Sequence, residues 1–204
     1  MCIRDRALGD QAGARRHVER MLGRYLSKKS HIIRFHYDQR LLAHSYRSLI
    51  LWLQGFVDQA ERSVERYVVD PRASDHPLSL ANALLQSACP IALLVGDLTK
   101  AERYVKGLME LSVRHALELW HVGGRCFGGV LLIKRGDISK GLEVLRTAFS
   151  RVPLNAFTIL YTPFLAEIAD ALGRDGNAAE GLLVIEEALA RSERNEERWC
   201  VADL

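Results

Sequence analysis

Histidine, cysteine and glycine supply the groups in this chain that could do chemistry, so their spacing is the first test of it. Of the seven histidines, His31 and His36 lie five residues apart and would point from different faces of a helix. His115 and His121 flank an expected turn. The sequence holds no H-E-x-x-H, no paired C-x-x-C and no accompanying ladder of carboxylates, so it predicts no metal site. The run GGRCFGG, Gly123–Gly129, is rich enough in glycine to suggest a phosphate loop. Such a loop needs a strand before it and Lys-Ser/Thr at its end, and both are missing. Close helix packing is the better account of these glycines. Cys126, inside the same run, has no histidine-plus-amide pattern around it, and no G-x-S-x-G elbow occurs elsewhere. It reads as a packing thiol. The carboxylate pairs Glu186-Glu187 and Glu196-Glu197 fall on amphipathic or loop text and read as a solvated face. The chain is therefore expected not to be an enzyme, with no catalytic residue, no cofactor and no metal.

The elements that would carry these residues follow from a repeat. Gly9-Asp10, Gly55-Phe56, Gly96-Asp97, Gly136-Asp137 and Gly176-Asn177 recur at intervals of 46, 41, 40 and 40 residues. Five residues after each glycine stands a small residue: Ala14, Ala60, Ala101, Gly141, Gly181. Nine after stands an aliphatic one, Val18, Val64, Val105, Leu145 and Ile185, and thirteen after another apolar one, Leu22, Val68, Met109, Phe149 and Leu189. Upstream, Leu51, Ala92, Leu132 and Leu172 precede the later glycines by four, and the small residues Ser48, Cys89, Gly129 and Ala169 precede them by seven. Each unit thus reads as an apolar helix, a glycine turn and an amphipathic helix. The glycine ends the first helix in the left-handed region. The Asp or Asn after it can cap or favour the next helix start.

Composition sets the remaining bounds. A net charge of +3 is too mild to call for nucleic acid or a membrane surface. Residues Ala7 to Ile50 are locally basic, which reads as a solvated surface or, alternatively, as a docking face for an acidic domain or phosphate. Pro77 to Gly96 carries no charge and approaches membrane-spanning length, but Asn82, Gln86 and a central Pro90 dilute it, so it is expected to be a buried helix. Cys89, Cys126 and Cys200 read as reduced thiols, which predicts a cytoplasmic protein. The opening MCIRDR joins no periodic pattern. Back-translated as ATG-TGT-ATA-AGA-GAC-AG, it resembles the transposon end used to fragment DNA for sequencing. Residues 1–6 are therefore expected to be a library scar on a fragment of a longer protein.

The repeat pattern resembles the tetratricopeptide repeat, with small residues in each helix flanking a central turn. It departs from that family in a period of about 40 residues instead of 34 and in lacking a regular early aromatic. The resemblance implies an all-α, TPR-like α-solenoid of antiparallel helix pairs. Residues 7–204 would form one array: a truncated unit's second helix at 9–27, units of about 36–70, 77–115, 117–151 and 157–192, and the start of a further unit at 196–204. The loops Asp70–Pro77 and Val152–Asn155 would absorb the extra length. In such repeats the first helices line a concave face. That places Ser45, Leu49, Trp52, Gln86, Cys126, Val130 and Asp170 on the candidate binding surface.

The wording of the repeats is narrower still. GDLTKAERYVKGLMELSVRHALELWHVGGRCFGGVLLIKRGDISKGLEVLRTA and GLLVIEEALARSERNEERWCVADL are similar to the C-terminal helical repeats of large bacterial signalling ATPases. In those proteins a winged-helix or nucleotide-cyclase domain and a P-loop ATPase precede the array. The resemblance implies a sensor or scaffold region of an ATP-dependent transcriptional regulator. Its partners would be a protein or an adjoining domain, or a small-molecule effector, with no direct nucleic-acid or membrane contact. ATP would bind only to the ATPase domain of the parent. A stand-alone adaptor that binds partner peptides is the alternative, separated from the first by whether a P-loop ATPase lies upstream.

Overall fold

The register glycines all adopt positive φ in the computed structural model, which describes residues 2–25, 33–34, 36–69, 75–151 and 158–201. Gly55, for example, has φ 83° and Gly136 φ 94°. Around them the chain closes paired bonds: Phe56 N–H to Leu51 O (2.9 Å) with Gly55 N–H to Trp52 O (2.8 Å), and Asp137 N–H to Leu132 O (3.0 Å) with Gly136 N–H to Ile133 O (2.9 Å). This is the Schellman arrangement, which satisfies the last carbonyls of a helix through a left-handed residue. Side-chain capping after the turn is uneven. Asp10 Oδ1 accepts from Gly13 N–H at 2.7 Å and Asp97 Oδ1 from Lys100 N–H at 2.9 Å. Asp137 and Asn177 make no such bond.

The described residues gather into two compact units, one of residues 1–6 and 10–124 and one of 7–9 and 125–204. The first unit holds α1 (Cys2–Ala7, whose last residue belongs to the second unit), α2 (Gln11–Tyr25), a two-strand ribbon of β1 (Ile33–Arg34) and β2 (Tyr37–Asp38), α3 (Gln39–Leu53), α4 (Val57–Tyr67), α5 (Pro77–Ala83), α6 (Cys89–Leu94) and α7 (Leu98–Arg114). α8 (Glu118–Lys134) runs through the boundary. The second unit adds α9 (Ile138–Phe149), α10 (Thr158–Arg174) and α11 (Ala178–Asn195). Residues 2–7, where the sequence shows no periodicity, are helical, and His17 Nδ1 lies 2.7 Å from Asp5 Oδ2. His31, the loops at 70–74 and 152–155, and 202–204 lie outside the described residues.

In the first unit Ala14, Val18 and Leu22 of α2 form a buried cluster with Ala43 and Ile50 of α3. α3 begins at Asp38, fully buried, whose Oδ1 accepts from the Arg40 and Leu41 N–H groups at 2.9 and 3.1 Å. The Asp38 N–H donates to Ser79 Oγ of α5 at 2.7 Å, tying two first helices together at their starts. α3 and α4 approach through Ser48 and Ser63, whose hydroxyls are 2.9 Å apart.

The stretch Pro77–Leu94 is long and apolar enough to cross a membrane by length and composition alone. Here it packs among α3, α4 and α7, with Cys89 fully buried and Leu85 and Ile91 2% exposed. Between α5 and α6 the chain widens into a π-helical turn, Leu84–Ala88. Pro90 explains it. Its ring lacks an N–H and collides with the carbonyl four residues back, and the widened turn accommodates both effects without breaking the helix.

In the second unit α8 and α9 meet at Gly129 and Gly141. A Cβ on Gly141 would stand 2.5 Å from Ile133 Cγ1 and 2.7 Å from Gly129 O. Only the missing side chain permits that crossing. α9 meets α10 through Phe149, edge-on to Tyr161 at 4.7 Å and to Phe164 at 5.9 Å. Lys134 pairs with Glu167 at 2.9 Å. α11 covers α10, with Arg191 4.3 Å above the Tyr161 ring.

Candidate functional site

α4, α5 and α7 enclose a groove of about 1020 Å³ in the first unit. Its shape follows from the helix pairing. α4 and α7 are second helices of successive repeats, and Leu80 of α5 and Leu84 of the π-helical turn complete the lining. Val68 and Tyr104 form a buried floor, 1% and 5% exposed. Val69, Leu80, Leu84 and Leu111 make half-buried apolar walls, Leu84 coming from the π-helical turn. Gly107 opens one wall, since a Cβ built there would meet nothing within 4 Å.

The rim carries charge: Glu65, Arg103, Glu110 and Arg114. Glu65 is 3.0 Å from Lys100, which also reaches Glu61 at 3.2 Å and Asp97 at 3.4 Å. Lys100 donates to the carboxylates of Glu65 and Glu61, which raises its pKa, so this cation stays charged and links α4 to α7. Glu110 is 3.9 Å from Lys106. Arg103 lies 5.0 Å above the Tyr104 ring and donates from Nη2 to Tyr104 Oη at 3.2 Å. Arg114 stands in the last turn of α7, where a cation complements the helix dipole. The rim thus carries two guanidinium groups and two carboxylates, with Glu65 paired to Lys100.

The binding face drawn from the sequence lands elsewhere. Ser45, Leu49, Cys126 and Val130 are 0%, 2%, 1% and 3% exposed, so they are interior residues and not an open surface. The reason is packing on both sides: in α3 the same helix that meets α4 is covered by α2 and by the π-helical turn. Ser45 spends its hydroxyl on Leu41 O at 2.8 Å. Trp52 and Gln86 are half-buried, and Asp170 is exposed beside Arg174 at 3.4 Å. The groove that does exist draws mainly on second helices, and the small residue at Gly107 in an amphipathic stretch was the available signal.

The residues weighed for chemistry are dispersed. Burial pushes the Cys126 thiol up to about 12 and raises that of Cys89 as well, so both stay protonated at neutral pH. Among the described residues no group of three or more His, Cys, Asp or Glu is placed to hold a metal. Glu186, Glu187 and Glu196 are exposed, but Glu197 is 3% exposed and accepts from Thr162 Oγ1 at 2.8 Å, which corrects the reading of that pair as solvated.

No family model matches the chain, and no curated protein does. Two solved structures are similar to it, both of a Podosopora anserina protein named as a kinesin light chain with nearly identical TPR-like repeats, one of them a single-substitution variant. The variant is 13% identical, with a TM-score of 0.57 over 96% of this chain and 92% of that one. The other is 12% identical, with a TM-score of 0.54 over 95% and 92%. At such identity the likeness concerns architecture. The fold is all-α and TPR-like, built of antiparallel helix pairs of the α-solenoid class.

Proposed function

We propose that this chain is a helical-repeat interaction module that holds a segment of a partner protein, or of an adjoining domain, in the groove between α4, α5 and α7. The observation that carries this reading is the groove itself: an apolar floor and walls long enough for several side chains, with Arg103 and Arg114 at the rim. Repeat folds of this kind bury little chemistry and present extended surfaces, which supports binding over catalysis. The bound segment has two or more large apolar side chains and a carboxylate within reach of the guanidinium groups. A small amphipathic effector with one anionic group shares that chemistry.

The test is a selection of displayed dodecapeptides against the wild-type chain and against Gly107→Trp. A Cβ at this groove-lining position would meet nothing within 4 Å, so the larger side chain starts from open space at the wall. Sequences enriched on the wild type, lost on the variant and rich in Leu, Phe and Asp or Glu are the expected result. Equal enrichment on both proteins sinks the reading. Within it, we propose the parent to be a bacterial ATP-dependent transcriptional regulator, on the strength of the repeat wording at residues 96–148. Long-read sequencing of the source locus tests this: a P-loop ATPase upstream supports it, and a genuine start near Ala7 with a stop soon after Leu204 selects the stand-alone adaptor.

A further inference from the structure

The first two second helices of the first unit carry arginines in matching register. Seven residues after the turn glycine stand Arg16 in α2 and Arg62 in α4, and eleven after stand Arg20 and Arg66. All four are exposed. Five and nine after the glycine, Ala14 and Val18 in α2 and Ala60 and Val64 in α4 are buried. Offsets seven and eleven lie one turn apart, on the side of the helix away from those buried positions. Both helices pack on α3, and Arg15 of α2 sits 5.4 Å above the Phe56 ring at the start of α4. The unit therefore presents two neighbouring rows of guanidinium groups to solvent, with about 6 Å between successive turns of a row.

Like charges at i and i+4 destabilise a helix unless an anion answers them. The acids of these helices are placed elsewhere. Glu19 pairs with Arg15 at 2.8 Å, and Glu61 and Glu65 pair with Lys100 at 3.2 and 3.0 Å. Among the described residues no carboxylate forms an ion pair with any of the four arginines, Asp58 one turn before Arg62 included. The rows are confined to this unit. In α9 and α11 offset seven holds Glu143 and Leu183, and offset eleven holds Thr147 and Glu187.

We propose that Arg16, Arg20, Arg62 and Arg66 form a docking surface for an acidic segment of a partner protein. Aspartate and glutamate of that segment engage the guanidinium forks, whose planar donors grip a carboxylate at two points. The exposed carboxylates Glu19, Asp58 and Glu65 stand among the arginines and disfavour a nucleic-acid strand, which brings a phosphate at every step. A peptide sets its acids against the arginines and neutral residues against those carboxylates. This surface uses none of the side chains that would hold a segment in the α4–α5–α7 groove and does not depend on that reading.

The test uses two fluorescent peptides of about 12 residues, some 40 Å when extended, one alternating glutamate with serine and one glutamine with serine. Binding is read by anisotropy on the full chain. The glutamate peptide is expected to bind at least about tenfold more tightly than the glutamine peptide, and Arg16→Gln with Arg62→Gln to lose about tenfold of that affinity. Lys140→Gln with Arg194→Gln removes the same charge from exposed sites of the second unit and is expected to change it less than about twofold. Circular dichroism checks that both double variants stay helical, as substitutions at exposed helix positions should. Equal losses in the two variants would show attraction to net charge alone and overturn the proposal. So would oligothymidylate or phosphatidylserine vesicles that bind more tightly than the peptide with the same arginine dependence, because phosphate would then be the chemistry recognised. Gly107→Trp should bind the glutamate peptide as the wild type does. Loss of binding there would place the peptide in the groove and sink this surface while leaving the groove reading intact.

Discussion

His44 lies inside α3, 6% exposed, with its ring stacked on Tyr67 of α4 at 4.1 Å and 6° between planes. Neither ring nitrogen has a hydrogen-bond partner. Burial holds its pKa down at about 4, with Arg40 and then Arg47 adding to the effect and Asp38 opposing it. A neutral imidazole in the core and an ordinary one in the unfolded chain make stability depend on pH. Above about 6.5 neither state is protonated, and the group contributes no pH dependence. As pH falls from 6.5 towards 4, only the unfolded chain takes the proton, so stability is lost at about 1.4 kcal/mol per pH unit. The loss from this residue levels off below 4 at about 3 kcal/mol. Urea denaturation at pH 7.5 and 5.0, on the wild type and on His44→Phe, isolates the effect, because phenylalanine keeps a flat ring over Tyr67 and cannot titrate. The wild type should lose about 2 kcal/mol more than the variant between those two pH values. Equal losses in the two proteins would show that the imidazole is solvated or charged in the fold, and the argument from burial would fail.

Four other perturbations bear on the fold and the groove. Gly107→Ala should raise stability by about 0.5–1 kcal/mol, since the Cβ meets open space and alanine suits a helix interior, as measured by the urea midpoint. Gly141→Ala should do the opposite and cost about 1–3 kcal/mol, because its Cβ meets the Gly129 carbonyl and Ile133; an unchanged midpoint would mean that α8 and α9 can separate freely. Asp38→Ala should cost about 1–2 kcal/mol by removing the α3 cap, and Asp38→Asn should recover part of it. Val130→Glu should abolish cooperative unfolding at neutral pH, since it places a charge at a site 3% exposed; retained helicity and a sharp transition would instead restore Val130 to an open face.

The helix–turn–helix register was legible because it is made by short-range bonds. A glycine at positive φ and a Schellman pair reach no more than five residues along the chain, so Gly55, Gly96, Gly136 and Gly176 carry their own evidence. The small residues beside them were legible for a related reason: two helices joined by a tight turn must cross where side chains are absent, as Gly129 and Gly141 do. One expected turn, between the units at 77–115 and 117–151, has no glycine to mark it. Between α7 and α8 the left-handed position is Ala116, with φ 53°, and Leu117 N–H still bonds Ser112 O at 2.9 Å. Tertiary packing holds a conformation there that alanine does not favour by itself.

What covers a helix was not legible, because it depends on neighbours contributed from distant sequence. Ser45 and Leu49 read as a binding face while α3 is considered with α4 alone, and they become core once α2 and the π-helical turn close over the other side. Glu197 reads as solvated until Thr162, 35 residues away, supplies its hydrogen bond. The groove is of the same kind, since its walls at Val69, Leu84 and Leu111 come from three separate segments whose approach no local pattern records. Sequence alone determined the repeat, its period and the pairing of helices within each unit, because those rest on local backbone geometry. Only the tertiary structure decided which apolar residues are interior and which line a cavity, because burial is a property of all the surfaces that meet at a residue.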